Sequence, residues 1–93
     1  MARATHSLGI LTELISEHLG VDANEISAET NFADDLGADS LDVAEIAIAV
    51  EDRLGIALDD AELERIRTVG QAAEMLDTKM RHAGALRGGR VSP

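Results

Sequence analysis

Apolar residues in this chain recur at helical spacing in four separate segments and never alternate over the length of a strand. Such a chain can bury its apolar surface only by packing helices on one another. The first segment covers residues 8–19. Leu8, Leu11, Leu14, Ile15, His18 and Leu19 fall on one stripe, Ser7 stands where an N-cap belongs and Gly20 supplies the stop. The second covers residues 40–54, with Asp39 as N-cap, Asp42 three residues on as an acidic variant of the capping box, and Gly55 at the end. A short third helix is expected over residues 60–65, led in by Asp59 and Asp60. The fourth opens on Thr68 and Gln71, a Thr-x-x-Gln capping box, and places Val69, Ala72, Ala73, Leu76 and Met80 on one face.

Residues 20–39 have no helical period and form a long connection for so small a domain. Val21, Ile26, Phe32 and Leu36 are spaced like pegs that pin it to a core, and Gly37 is placed for a turn. The expected fold is therefore all-α: a four-helix bundle with one short helix and a long first loop. Residues 1–80 form the bundle, and residues 81–93, rich in glycine and arginine without periodicity, read as a disordered basic tail.

Ninety-three residues allow one small core, burying about 60% of the unfolded surface. The absence of cysteine excludes disulfides, thiolate metal sites and cysteine nucleophiles, and His6, His18 and His82 are too scattered in sequence to mark a metal cluster, so no metal is expected. The start of the chain lacks a secretory pattern, and the longest apolar run, residues 46–50, is far short of the roughly 20 residues that span a bilayer. A soluble, cytoplasmic monomer is expected. The net charge of −10 is unevenly spread: 16 acids and the single base Arg53 lie between residues 13 and 64, whereas six bases and two acids follow. An acidic body repels nucleic acid and anionic lipid and attracts basic protein surfaces. Phe32 is the only aromatic residue, which argues further against base stacking.

The second helix carries two apolar stripes. Val43, Ile46, Ala47, Val50 and Leu54 share one direction and form the core face. Leu41, Ala44 and Ile48 form another stripe, about 130° away, bordered by Glu45, Glu51 and Asp52, with Asp42 further round. A second apolar stripe rimmed by acids has the make-up of a docking surface; packing beneath the long loop is the structural alternative. Ser40 lies between the two faces in the first helical turn, where free N–H groups and the helix dipole favour a phosphate on its hydroxyl. The setting does not suit a catalytic serine. Ala38 and Asp42 occupy the two glycine positions of a nucleophile elbow, and nothing marks a histidine as general base. An EF-hand loop begun at Asp34 fails as well, because Leu36, Ala38 and Asp39 stand where two oxygen ligands and a glycine are needed.

The stretch at residues 34–42, DDLGADSLD, resembles the prosthetic-group site of acyl carrier proteins. The LGV at residues 19–21, the lone Phe32, the acidic second helix and the ERIRTVGQA at residues 64–72 are similar to the same family, so that the resemblance covers roughly residues 8–80. It implies a carrier that is not itself an enzyme. Ser40, flanked by Asp39 and Leu41 of the motif, would receive 4′-phosphopantetheine from coenzyme A through a phosphopantetheinyl transferase, the holo-carrier-protein synthase. The arm's thiol would then hold acyl chains as thioesters. The resemblance further implies docking to basic patches on synthases, reductases, dehydratases and acyltransferases, through Asp39, Asp42, Glu45, Glu51 and Asp52 with the apolar Ala44 and Ile48. It also implies a bundle interior able to shelter the chain. Three departures leave the pathway open between fatty acid synthesis and a specialised polyketide or lipid route. These are Arg53 near the end of the second helix, Leu58-Asp59-Asp60 where a proline often leads into the third, and the basic tail. Peptidyl carriers fit less well, since the residue before their serine is typically not an acid like Asp39. An unmodified acidic interaction module and a small serine hydrolase are the readings from other classes.

Overall fold

The computed structural model describes residues 5–89, with side chains over residues 7–81. Four α-helices follow in order: α1 (Thr5–Leu19), α2 (Ser40–Leu54), α3 (Asp60–Arg65) and α4 (Val69–Gly89). One turn of 3-10 helix, Ala23–Glu25, interrupts the long connection after α1. Among the described residues there is no strand, only an isolated antiparallel bridge between Asn31 and Thr68. Helix α1 packs against both α4 and α2, and α3 leans on α2.

The helical periodicity of the sequence becomes this core directly. Ile15 of α1, Val50 of α2, and Val69 and Leu76 of α4 are essentially without exposure, and Leu11, Ile46, Ala72 and Ala73 are buried around them. Burying one such aliphatic side chain contributes about 1.5–3 kcal/mol. A helix cap contributes about 1 kcal/mol. Packing therefore holds the helices together, and the caps decide where each begins. In α2 the Asp39 carboxylate accepts from the Asp42 N–H at 3.0 Å while the Asp42 carboxylate accepts from the Asp39 N–H at 3.1 Å. Helix α3 has one half of the device, the Asp59 N–H donating to the Glu62 carboxylate at 3.1 Å, and α4 repeats it in full with Thr68 and Gln71. Gly55 ends α2 in the left-handed conformation that glycine adopts without strain, with φ +70°.

The connection between α1 and α2 is fastened where the pegs were expected. Ile26 and Phe32 are buried, and Val21 and Leu36 lie half-buried against the core. Main-chain bonds then sew the loop to the start of α4: Phe32 N–H donates to the Arg67 carbonyl at 3.0 Å, Val69 N–H to Thr30 at 2.9 Å, and Gly70 N–H to Ala28 at 2.8 Å.

Two sequence expectations are corrected here. Ser7 does not cap α1. It lies inside a helix that already includes Thr5, fully buried, with its hydroxyl donating to the Asp77 carboxylate of α4. That cross-helix bond satisfies a group that could not otherwise be buried at low cost. The fourth helix does not stop at Met80 but runs on to Gly89. Residues 81–89 contain no proline to break the helix, and Ala83, Ala85, Leu86 and the arginines favour it against Gly84 and the terminal Gly88 and Gly89. The last part of the expected tail, residues 90–93, lies outside the described residues.

Two stability measurements test this account. Gly-to-Ala in a helix ordinarily stabilises by up to about 1 kcal/mol. At Gly70, however, a new Cβ would meet the Ala28 carbonyl oxygen at 2.8 Å, against main chain that is itself hydrogen-bonded to Gly70. Gly70→Ala is expected to destabilise by about 1–3 kcal/mol, and a raised melting temperature would disprove the close contact. The second concerns acid. The Asp59 N–H, and after it Lys79, hold the Glu62 carboxyl below its ordinary value. The Asp42 N–H does the same for Asp39. Both groups are depressed in the folded state, so their ionised caps contribute stability above the unfolded carboxyl range of about pH 4 and lose it as pH falls through the lower folded values. Melting temperature should decline below about pH 4, and less steeply in Asp39→Asn with Glu62→Gln. Parallel declines would show that these caps carry none of the acid sensitivity.

Candidate functional site

The first turn of α2 is positioned by a dense set of local hydrogen bonds. Asn31 begins a compact turn in which its side-chain oxygen accepts from the Ala33 and Asp34 N–H groups at 3.0 and 2.8 Å. The Asp35 carboxylate accepts from the Asn31 N–H at 2.7 Å. Gly37 then turns the chain with φ +66°, and Ala38, buried, donates its N–H back to the Phe32 carbonyl at 2.8 Å. Asp39 follows in extended backbone and the helix starts at once. This succession brings Ser40 to the surface at the head of a 15-residue helix whose N-terminus is capped by Asp39 and Asp42.

Ser40 is exposed and opens on a cleft of about 350 Å³ between α2 and α3. Phe32, Ala38, Val43, Leu63 and Ile66 supply its apolar lining, and Asn31, Asp39, Glu64 and Arg67 stand at its edge. Beneath it, a small wholly apolar cavity of about 30 Å³ reaches into the core among Phe32, Ile46, Val50, Leu63, Met75 and Leu76. An exposed hydroxyl at a helix N-terminus suits a phosphodiester. The half-apolar cleft beside it suits a slender chain bearing amide groups. The residues present thus fit a phosphopantetheine arm. A catalytic serine would need a base, and His18, the one histidine whose side chain is described, is turned instead to Asp42 and Glu45.

The other expected site residues divide into three groups. Leu41 and Ile48 are 63% and 62% exposed, so the second stripe of α2 does not pack beneath the loop. Ala44 is half-buried where the stripe meets the cleft. Glu45 and Asp52 stand exposed on the same side of the helix. Three acids are already engaged in local structure: Asp39 and Asp42 in the capping box, and Glu51, whose carboxylate accepts from the Leu58 N–H at 2.8 Å and ties down the connection to α3. Arg53, a base within an acidic helix, pairs with Glu13 of α1 at 3.1 Å.

Sequence reading missed two participants. Arg67 lies within the ERIRTVGQA stretch, but nothing in that stretch places it at the cleft edge. His18 falls on the apolar stripe of α1, and no other histidine stands near it in sequence. Its register does put it on the face toward α2, where carboxylates were the partners to look for.

Comparison with known proteins agrees with this geometry. Residues 9–76 match the family model described as the phosphopantetheine attachment site. Among solved structures, an acyl carrier protein from Enterococcus faecalis is 32% identical, with 82% of this chain and 96% of that one covered and a TM-score of 0.69. A Mycobacterium tuberculosis protein assigned as an acyl carrier protein is 28% identical, with 77% and 96% covered and a TM-score of 0.72. The family's domain is the one that carries 4′-phosphopantetheine. No helix among the described residues is long and apolar enough to cross a membrane. This chain belongs to the acyl carrier protein family.

Proposed function

We propose that Ser40 bears the 4′-phosphopantetheine arm and that the protein delivers acyl groups to the enzymes of fatty acid synthesis or of a related polyketide or specialised lipid route. One observation carries the reading: the Ser40 hydroxyl is exposed on the first residue of α2, beside an open cleft, inside the region that matches the attachment-site family. When bound, the arm supplies a thiol that the cysteine-free chain lacks. The chain's own part is to hold the attachment point still, present a docking face and shield what is carried. A phosphopantetheinyl transferase loads the serine, and synthases, reductases, dehydratases and acyltransferases are the later partners. Residues 1–80 are the carrier unit, and the basic segment beyond them is an appendage.

The cavity under the cleft supports a sheltered acyl chain. At about 30 Å³ it is far too small for an acyl chain. Admitting a chain therefore requires α3 to move away from α2. Helix α3 has six residues, none of them fully buried, so it is the element with least packing to lose. Burial contributes about 0.8 kcal/mol per methylene, which favours that movement once several carbons enter.

Loading is tested by mass. Wild type and Ser40→Ala are incubated with coenzyme A and a broad-specificity transferase. Wild type should gain one arm and the variant none. An unmodified wild type, or a modified variant, would return the chain to the class of acidic interaction modules.

Docking is tested by charge reversal. Glu45→Lys with Asp52→Lys changes two exposed side chains off the core, and an exposed ion pair contributes only about 0–1 kcal/mol, so the fold should persist. The loading rate should fall about tenfold or more at low salt, with the gap closing as salt is raised. Equal rates and an equal salt response in the folded double variant would remove these acids from the transferase docking face.

A further inference from the structure

We propose that His18, Asp42 and Glu45 form a binding site for a divalent first-row transition ion, with zinc as the preferred occupant. His18 Nε2 lies 3.1 Å from Glu45 Oε1 and 3.6 Å from Asp42 Oδ1. One ligand atom from each of the three residues lies within 4.8 Å of the other two. Donors about 2.1 Å from a zinc ion stand about 3.0–3.4 Å apart, whether the geometry is octahedral or tetrahedral. The His18–Glu45 separation falls inside that range and the His18–Asp42 separation exceeds it by about 0.2 Å, so an ion would enter by drawing the Asp42 carboxylate slightly inward.

The donors come from two helices, and both are held. Asp42 is fixed by the capping box, in which its Oδ2 accepts from the Asp39 N–H and leaves Oδ1 toward the imidazole. Asp42 and Glu45 are three residues apart on α2 and so share one side of it. His18 lies in the last turn of α1, anchored by fully buried Ile15 and closed by the Gly20 N–H to the Ser16 carbonyl at 2.8 Å. The three side chains are 29%, 32% and 49% exposed, which gives an ion a path in and leaves a coordination position for water. One neutral imidazole with two carboxylates neutralises a divalent charge. The nitrogen donor directs the site toward zinc and its neighbours and away from magnesium and calcium, which prefer all-oxygen shells.

The competing account is a plain ion pair, in which a protonated His18 bridges the two carboxylates. It predicts that zinc leaves the His18 ring resonances where they are and that removing either carboxylate does not change zinc binding. The test uses the full chain before arm attachment and without an affinity tag, so it stands apart from the carrier reading. Zinc chloride is titrated by calorimetry while the ring protons of the three histidines are followed by NMR, with magnesium chloride as the comparison. One zinc should bind per chain, with the His18 ring resonances moving and those of His6 and His82 still, and magnesium should leave them in place. His18→Gln and, separately, Glu45→Gln should each weaken zinc binding by about tenfold or more, with circular dichroism confirming the fold. Undiminished affinity in folded His18→Gln, shifts confined to His6 or His82, or no binding by wild type would overturn the site.

Discussion

The position of Ser40 depends on the stitching of the α1–α2 connection to the beginning of α4. A loop of this length has many conformations to lose, and ordering each residue costs about 1–2 kcal/mol. Here the cost is offset twice, by burial of Ile26 and Phe32 and by the main-chain bonds of residues 28, 30 and 32 to residues 70, 69 and 67. Phe32 is the common member. Its ring enters the core, its N–H donates to Arg67, and its carbonyl accepts from Ala38 immediately before the N-cap of α2. The start of α2 is therefore referenced to the core through one residue, and an exposed serine gains a fixed position without being buried.

That arrangement lets α2 serve two surfaces at once. Ile46, Ala47 and Val50 are committed to the core, whereas Leu41 and Ile48 remain largely in water. A helix with one apolar face would have to choose between packing and recognition. Helix α3, short and without fully buried residues, closes the remaining side only lightly. The cleft beside Ser40 and the small cavity below it lie along this lightly closed side, in contact with the same residues Phe32, Val43, Leu63 and Ile66. Exposed Ser40, the cleft and the lightly packed α3 thus occur together for one reason: the domain is too small to cover α2 fully.

Much of this was legible in the residues. The bounds of α2 and α3 follow from Asp39, Gly55 and Asp59, because caps and left-handed glycines act locally and leave a local signature. The Thr68–Gln71 box fixed the start of α4 in the same way. Local signals failed where the partner was distant in sequence. Ser7 looks like an N-cap in its own segment, and only the arrival of Asp77, 70 residues later, makes it an interior group. Glu51 reads as a free surface acid until the chain turns back and presents the Leu58 N–H. The end of α4 was missed for another reason: alternating alanines and glycines carry no apolar period, yet they do not forbid a helix. Around the cleft, His18 meets Asp42 and Glu45 of α2, and Arg67 comes to the cleft edge, only through tertiary packing.

The engaged acids change how recognition by this face should be weighed. The sequence offers a dense acidic helix, but Asp39, Asp42 and Glu51 already accept main-chain N–H bonds, and Glu45 faces an imidazole. They still contribute to a long-range negative field, which depends on charge and little on local partners, and so still speed encounter with a basic surface. They have less freedom to reorient into close ion pairs, and each exposed pair contributes at most about 1 kcal/mol. Covering Leu41 and Ile48 contributes more, about 1.5–3 kcal/mol for a side chain taken fully from water. For any partner that met this face, charge would act mainly on encounter, and the two exposed aliphatic side chains mainly on the lifetime of the contact.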